Sequence, residues 1–282
     1  MDERVPLGPV AIPLKSRGAR TVHWSEVFPA HRLPVIAKTV LLVALGAWLS
    51  GVRLHPYPLG ATIVLASVLW LGLYGINEYT DLTLERRLQP APIGLAPAVV
   101  FVVVALLGSL WLPHLLTLLL LAMVAGQLLY CVPPARLKRW WFAVVLLSGI
   151  ANPLLRLECG AIFGRHGIPI SVVATILLLH VGATLRSRGL LRRRDAGFGY
   201  RVAPPIAEAA GKTFTALGLV GAWAVCLVGI IPHIFLTFVV AATFFAAYAW
   251  SGRELTVDRL RGGWIWFAVF TGVGLLVLIY RG

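Results

Sequence analysis

Acids are scarce in this chain. Eleven Asp and Glu stand against 25 Lys and Arg in 282 residues, and charged residues of both signs make up only 13%. Soluble domains carry about a quarter, so a water-facing surface over most of the chain is excluded. Apolar residues take the place of the missing charge: 59% of the sequence is hydrophobic, with a mean hydropathy of +0.86. Cysteine is scarce too. Cys131, Cys159 and Cys226 are odd in number, lie in or beside apolar runs and lack metal-ligand spacing. That argues against a disulfide framework or a thiolate metal site and leaves them as small buried hydrophobes. No apolar segment opens the chain: residues 1–33 are polar and contain Pro, so no cleavable signal peptide is expected.

What is present is a series of apolar runs. Nine candidate membrane spans lie at about 34–51, 58–77, 94–112, 114–132, 141–158, 169–185, 213–231, 233–250 and 263–280, each approaching the ~20 residues that cross ~30 Å of hydrocarbon. The fold class expected is an all-α membrane protein. Residues 34–282 form one domain, preceded by a basic amphipathic arm over 1–33 whose Trp24, Val27 and Phe28 can rest on lipid while Arg17, Arg20 and Arg32 meet anionic headgroups. Leu112-Pro113-His114 and Ile231-Pro232-His233 read as tight hairpins in which Pro stops a helix. A net charge of +14 would point to nucleic acid in a soluble protein. Here the basic residues fall between the apolar runs, so membrane lipid is the expected partner and nucleic acid is not. With the N-terminus in the cytoplasm, only Arg53, Arg156, Arg165 and Arg281 fall outside and Lys38 within the first span; all other Lys and Arg lie inside, as the positive-inside rule requires. Every acid but Glu158 lies on that side too. The expected location is a multi-pass protein of the cell inner membrane, with its chemistry at the cytoplasmic face.

Three inside stretches can carry that chemistry. In the first, Asn77, Asp81 and Glu85 recur every fourth residue, which stacks them on one face of a helix. Such oxygen ligands suit Mg²⁺, which takes one or two carboxylates and shares itself with a phosphate. A solvated helix end with chance acids has the same spacing. The second stretch, Tyr130 to Trp140, has Pro133 and Pro134 stiffening a turn that aims Arg136 and Lys138. Fixed cations beside a carboxylate–metal site are what a diphosphate needs, although positive-inside charge alone also accounts for them. The third, Arg186 to Lys212, is too long for a simple connector. It holds Arg192, Arg193, Arg194, Asp195 and Arg201, and residues 202–211 are expected to form a short helix lying over the site. His180 reads as a core histidine and Arg156 as a cation snorkelling to the outer surface.

These residues resemble the UbiA superfamily of intramembrane prenyltransferases. Asn77 to Glu85 is similar to its N-D-x-x-D-x-x-x-D motif. Tyr130-x-x-Pro-Pro-x-Arg-Leu-Lys-Arg-Trp140 is similar to its Tyr…Pro…Arg-Leu-Lys element, and Asp195-x-x-x-Gly199-x-Arg201-Val-x-Pro204 to the latter half of its second Asp motif. The resemblance covers nearly the whole chain. It implies a bundle of nine helices around a central lipid-open cavity and transfer of an isoprenyl group from an isoprenyl diphosphate to a small hydrophobic or aromatic acceptor. It also implies Mg²⁺ and diphosphate held by Asn77, Asp81 and Glu85, with Asp195 on a second ion. Tyr130, Arg136 and Lys138 would serve catalysis, with Arg136, Lys138, Arg194 and Arg201 on the diphosphate. The sequence departs from the pattern at Glu78, at Glu85 and, most consequentially, at Leu191, where a second Asp is usual. Alternatives within the superfamily are a membrane terpene cyclase needing no acceptor and a prenyl-phosphate phosphoribosyltransferase. From a different class, a transporter or lipid-binding protein should show broken helices and midplane charges, which the sequence mostly lacks.

Overall fold

A computed structural model describes residues 33–51, 56–85 and 94–250. Eight long helices follow one another: α1 (Leu33–Leu49), α2 (Pro56–Glu85), α3 (Leu95–Ser109), α4 (His114–Cys131), α5 (Trp141–Ala161), α6 (Ile170–Leu190), α8 (Ala207–Leu227) and α9 (Leu236–Trp250), with a short α7 (Arg192–Gly197) between α6 and α8. They correspond to the first eight expected spans. The ninth, 263–280, and the arm over 1–32 lie outside the described residues. Five of the helices are long and apolar enough to cross a membrane, and α3 and most of α1 are shorter apolar helices. Val99, Val100, Val103, Val104, Leu107, Leu115 and Leu118 stand exposed along α3 and α4. Such a surface is stable only against lipid, where helices satisfy their own backbone groups. The chain is a multi-pass membrane protein.

Two apolar cores hold the bundle together. One joins α1 to α2, α3, α4 and the C-terminal half of α5 through Leu69, Trp70, Leu73, Leu116, Leu120 and Met123. The other joins α1 and α5 to α6, α8 and α9 through Leu42, Leu157, Ile176, Val225 and Val239. The two share α1 and α5, which pack so closely that a Cβ on Gly160 would lie 1.8 Å from the Val43 carbonyl oxygen and one on Gly46 would lie 1.9 Å from that of Leu157. Small residues at such crossings are how membrane helices gain dispersion contact. Buried hydroxyls are satisfied locally: Thr39, Thr62, Thr175 and Thr215 each donate to the carbonyl four residues back.

Three features differ from the sequence reading. The apolar span expected to end at 77 continues as helix to Glu85, so α2 is one helix of 30 residues, about 45 Å at 1.5 Å per residue, and carries Asn77, Asp81 and Glu85 on one helix as their spacing predicts. No Gly or Pro interrupts residues 76–85, and the helix carries Asp81 into a buried position. The short helix expected over 202–211 is absent. Ala207 to Gly211 form the first turns of α8, and the loop's own helix is α7. Helix α5 contains a π-helical stretch, Val145–Ala151, just before Pro153. Proline lacks the N–H its turn would use and crowds the carbonyl four residues back; a widened turn relieves this and often lies at functional sites.

Candidate active site

Helix α2 and the turn after α4 bring two sequence-distant groups together. Asp81 and Lys138 form an ion pair, with both side chains more than nine-tenths buried. Lys138 is placed by a compact turn. Pro133–Pro134 leads into Arg136, whose backbone is left-handed (φ 40°) and whose N–H donates to the Val132 carbonyl at 3.1 Å. A 3₁₀ turn, Leu137–Arg139, follows. One helical turn before Asp81, Asn77 donates from Nδ2 to Asp81 Oδ2 at 3.4 Å. The other amide atom, Asn77 Oδ1, is buried without a hydrogen-bond partner. Thr80 back-bonds to the Asn77 carbonyl at 2.7 Å, which steadies this turn of the helix. Glu85 ends α2, and its side chain lies outside the described residues.

Asp195 is the centre of the other half. It is buried, and its Oδ2 accepts from Arg188 Nη1 at 3.2 Å, while Oδ1 has no partner. Its backbone carbonyl accepts from the Phe198 and Tyr200 amides, tying α7 to the loop beyond. Tyr130, half-buried at the end of α4, links the halves, since it lies within electrostatic reach of both Arg188 and Asp81, and of Tyr74. The loops are also joined directly. Trp140 and Arg201 form a parallel β-bridge, the Arg201 amide donates to the Arg139 carbonyl at 2.8 Å, and the Arg201 guanidinium stacks 3.7 Å over the Trp140 ring.

Asn77, Asp81 and Lys138 therefore converge, with Tyr130 between them and the Asp195–Arg188 pair. Arg136 is buried beside Lys138 in sequence. Arg201 is exposed and stacked on Trp140, and the side chain of Arg194 lies outside the described residues. Arg188 and Tyr74 were missed by the sequence reading. Arg188 sits in the last turn of α6 among arginines that positive-inside charge already explains, and only the fold distinguishes the one that meets Asp195. Among the described residues, no group of three or more His, Cys, Asp or Glu side chains gathers as a metal site. An ion here would need further oxygens from its ligand, which is how Mg²⁺ is commonly held beside phosphates.

No family model matches the chain, and no curated protein matches it in sequence. Solved structures do. A UbiA homologue from Archaeoglobus fulgidus bound to GPP and Mg²⁺ superposes with a TM-score of 0.68 at 14% identity, covering 91% of this chain and 100% of that one. The apo UbiA homologue from Aeropyrum pernix K1 gives 0.69 at 18% identity, over 86% and 97%. The chain has the UbiA fold. A structure described for digeranylgeranylglyceryl phosphate synthase in membranes is similar as well, with a TM-score of 0.60 at 13% identity over 91% and 96%. Identity this low makes the likeness one of UbiA fold, and the chemistry rests on the residues above.

Proposed function

We propose that this protein is a Mg²⁺-dependent intramembrane prenyltransferase that moves an isoprenyl group from an isoprenyl diphosphate to a small aromatic acceptor at the cytoplasmic face of the cell inner membrane. The observation that carries this reading is the meeting of Asn77 and Asp81 with Lys138, with Tyr130 within reach of both Asp81 and the Asp195 partner Arg188. Similar folds bound to GPP or DMAPP with Mg²⁺ support it.

The residues fit the ion. Asn77 Oδ1 and Asp195 Oδ1 are buried hard oxygens with no partner, the donor type Mg²⁺ prefers. Asn77 and Asp81 would hold it, with Glu85 further along α2, and Asp195 would serve a second ion only by giving up Arg188. Once bound, the ion supplies Lewis-acid stabilisation of charge on the departing diphosphate. The protein does the rest. Lys138, released from Asp81, and Arg136 hold the diphosphate oxygens as charge grows there; Arg194 would join them, and Arg201 would do so by leaving Trp140. The C1–O bond breaks with its electron pair going to the diphosphate. The acceptor's nucleophilic atom bonds C1, and its proton passes to a diphosphate oxygen. The Tyr130 ring would stabilise the developing allyl cation, an effect open to any aromatic face, while the apolar helices exclude water that would quench it.

The test is to incubate purified protein with Mg²⁺ and isoprenyl diphosphates of several lengths, with and without candidate aromatic acceptors, and weigh the products. Prenylated acceptor is the expected outcome. A cyclised hydrocarbon formed without acceptor would replace transfer by cyclisation, and absence of any Mg²⁺-dependent diphosphate release would overturn the reading.

A further inference from the structure

The UbiA resemblance implies a second Mg²⁺ at Asp195, and the side chains there do not fit one. Leu191, standing where a second acid is usual, is buried. Asp195 is only 2% exposed, and its Oδ2 accepts from Arg188 Nη1 at 3.2 Å. Its Oδ1 has no partner. An incoming ion would therefore find one free oxygen of one carboxylate, where Mg²⁺ demands a near-octahedral shell. It would also meet the guanidinium charge already seated on the other oxygen, and like charges repel strongly in a low dielectric.

Arginine takes the place of the missing acid. Helical hydrogen bonds cross the junction of α6 and α7, from the Leu191 amide to the Ser187 carbonyl and from the Asp195 amide to the Leu191 carbonyl. Arg188, Arg192 and Asp195 therefore share one face, within about 60° at 100° per residue. Arg188 and Arg192 each have an Nε that is buried and without a hydrogen-bond partner. Two other arginines are covered by tryptophan rings: Arg156, which is 3% exposed and does not snorkel outward, at 3.8 Å over Trp70, and Arg201 at 3.7 Å over Trp140. Among the described residues no ring covers Arg188 or Arg192. Desolvated donors left in this way are costly until an acceptor arrives. The backbone also ties this pair to the other half of the site. The Asp195 carbonyl accepts from the Tyr200 amide, and the next amide, of Arg201, donates to the Arg139 carbonyl, one residue beyond Lys138.

We propose that Arg188 and Arg192 replace the second divalent ion: they bind the diphosphate oxygens on the α6 side, Asp195 positions Arg188 instead of ligating metal, and the site works with a single ion beside Asp81. This rests on the prenyl-transfer reading for the diphosphate alone. A divalent ion on two carboxylates would leave no net charge facing the phosphate. Two guanidinium groups on one carboxylate leave a net positive charge, and it is present without any metal. Arginine can do this without abandoning Asp195. Its guanidinium has five N–H donors in a rigid fork, so Nη1 of Arg188 stays on Oδ2 while its remaining donors, Nε among them, turn to phosphate, which they meet in the same two-pronged geometry as a carboxylate. Asp195 thereby fixes the fork before the ligand arrives, which spares the ordering cost of binding.

The probes are inorganic pyrophosphate and Mn²⁺, which shares the oxygen-ligand preference of Mg²⁺, on the purified full chain. Pyrophosphate binding is read as stabilisation against heat, in EDTA and again with Mn²⁺, and bound Mn²⁺ is counted by electron paramagnetic resonance at saturating pyrophosphate. Metal-free pyrophosphate binding and one Mn²⁺ per chain are expected. Arg192→Gln, which leaves the Arg188–Asp195 pair in place, should weaken metal-free binding about tenfold or more, the loss of one charge-assisted contact. Arg188→Gln joined to Asp195→Asn should do the same without stranding a buried carboxylate. Asp195→Asn alone should still hold one Mn²⁺. Two Mn²⁺ per chain in the wild type, loss of Mn²⁺ from Asp195→Asn, pyrophosphate binding only with metal, or undiminished metal-free binding by both arginine variants overturns the proposal. If one ion and metal-free binding are found but no isoprenyl diphosphate is consumed, with or without acceptor, the arginine site stands and the prenyl-transfer reading falls. Two ions with prenyl transfer give the reverse.

Discussion

Removing the ammonium of Lys138 should have two opposite consequences, and together they test the site. Lys138 and Asp81 are both more than nine-tenths buried and pair across 57 residues of sequence. Deleting one member of such a pair strands the other charge in low dielectric, at a cost of about 3–5 kcal/mol, whereas replacing both by apolar residues costs far less. Lys138→Met should therefore lower thermal stability sharply in ligand-free protein, and Lys138→Met with Asp81→Leu should recover much of the loss. Mg²⁺ should reverse the order. In the wild type an ion must displace Lys138 from Asp81, while in Lys138→Met no ammonium competes for that carboxylate, so Mg²⁺ alone should stabilise the variant more than the parent. Turnover should nevertheless fall about 10²–10³-fold, the usual effect of losing one donor to developing charge. The assays are thermal unfolding in detergent with and without Mg²⁺, and pyrophosphate release with an isoprenyl diphosphate. Equal stabilisation of both proteins by Mg²⁺, with additive effects of the two substitutions, would refute the view that Lys138 holds the metal's place in the free protein.

Asp81→Ala removes the carboxylate that both Lys138 and Mg²⁺ use and should abolish Mg²⁺-dependent diphosphate release; retained turnover would move the metal elsewhere. Leu191→Asp restores an acid four residues before Asp195 and should steepen the Mg²⁺ dependence of turnover, measured as rate against free Mg²⁺. An unchanged profile would favour arginine as the substitute charge. Gly160→Leu forces a side chain into the α1 backbone, where even a Cβ would sit 1.8 Å from the Val43 oxygen. It should destabilise the protein by more than the ~1–3 kcal/mol usual for overpacking, read as a lowered thermal midpoint, while Gly167→Ala, with nothing within 4 Å of its Cβ, should leave the midpoint unchanged.

The helices were legible because the signal was simple: apolar runs of span length broken by Pro113, Pro232 and basic loops. Their ends were less so. The expected span ends at 77 because hydropathy falls there, whereas the four-residue spacing of Asn77, Asp81 and Glu85 already requires helix beyond it, and nothing from Ile76 to Glu85 breaks its hydrogen bonds. The short helix expected over 202–211 is helical only from Ala207, where it is the start of α8, because a Pro pair just outside a helix is compatible with its start. The convergence of Asn77, Asp81 and Lys138 could be argued from the chemistry each stretch needs. The pairing of Asp195 with Arg188, and the burial of Arg156 over Trp70, could not. Both depend on which way α5 and α6 face, and the π-helical stretch in α5 shifts that register without a period that sequence reveals.

The replacement at Leu191 has a physical consequence for how many ions the site needs. Leu191 is itself buried, so the position where a second acid is usual has joined the apolar packing and is not a vacant ligand. The remaining acid there, Asp195, already has a cation, Arg188, at 3.2 Å. Asp81 likewise has Lys138. Asp81 and Asp195 are thus each paired with a cation within the chain before any ligand arrives. A second divalent ion at Asp195 would have to expel a mostly buried guanidinium and would gain a single protein carboxylate in return. A diphosphate, by contrast, can take Arg188 as it stands, since a guanidinium fork meets phosphate oxygens as readily as carboxylate ones. The balance favours one ion on the α2 side, with Arg188 supplying on the α6 side the positive charge that a second ion would otherwise bring.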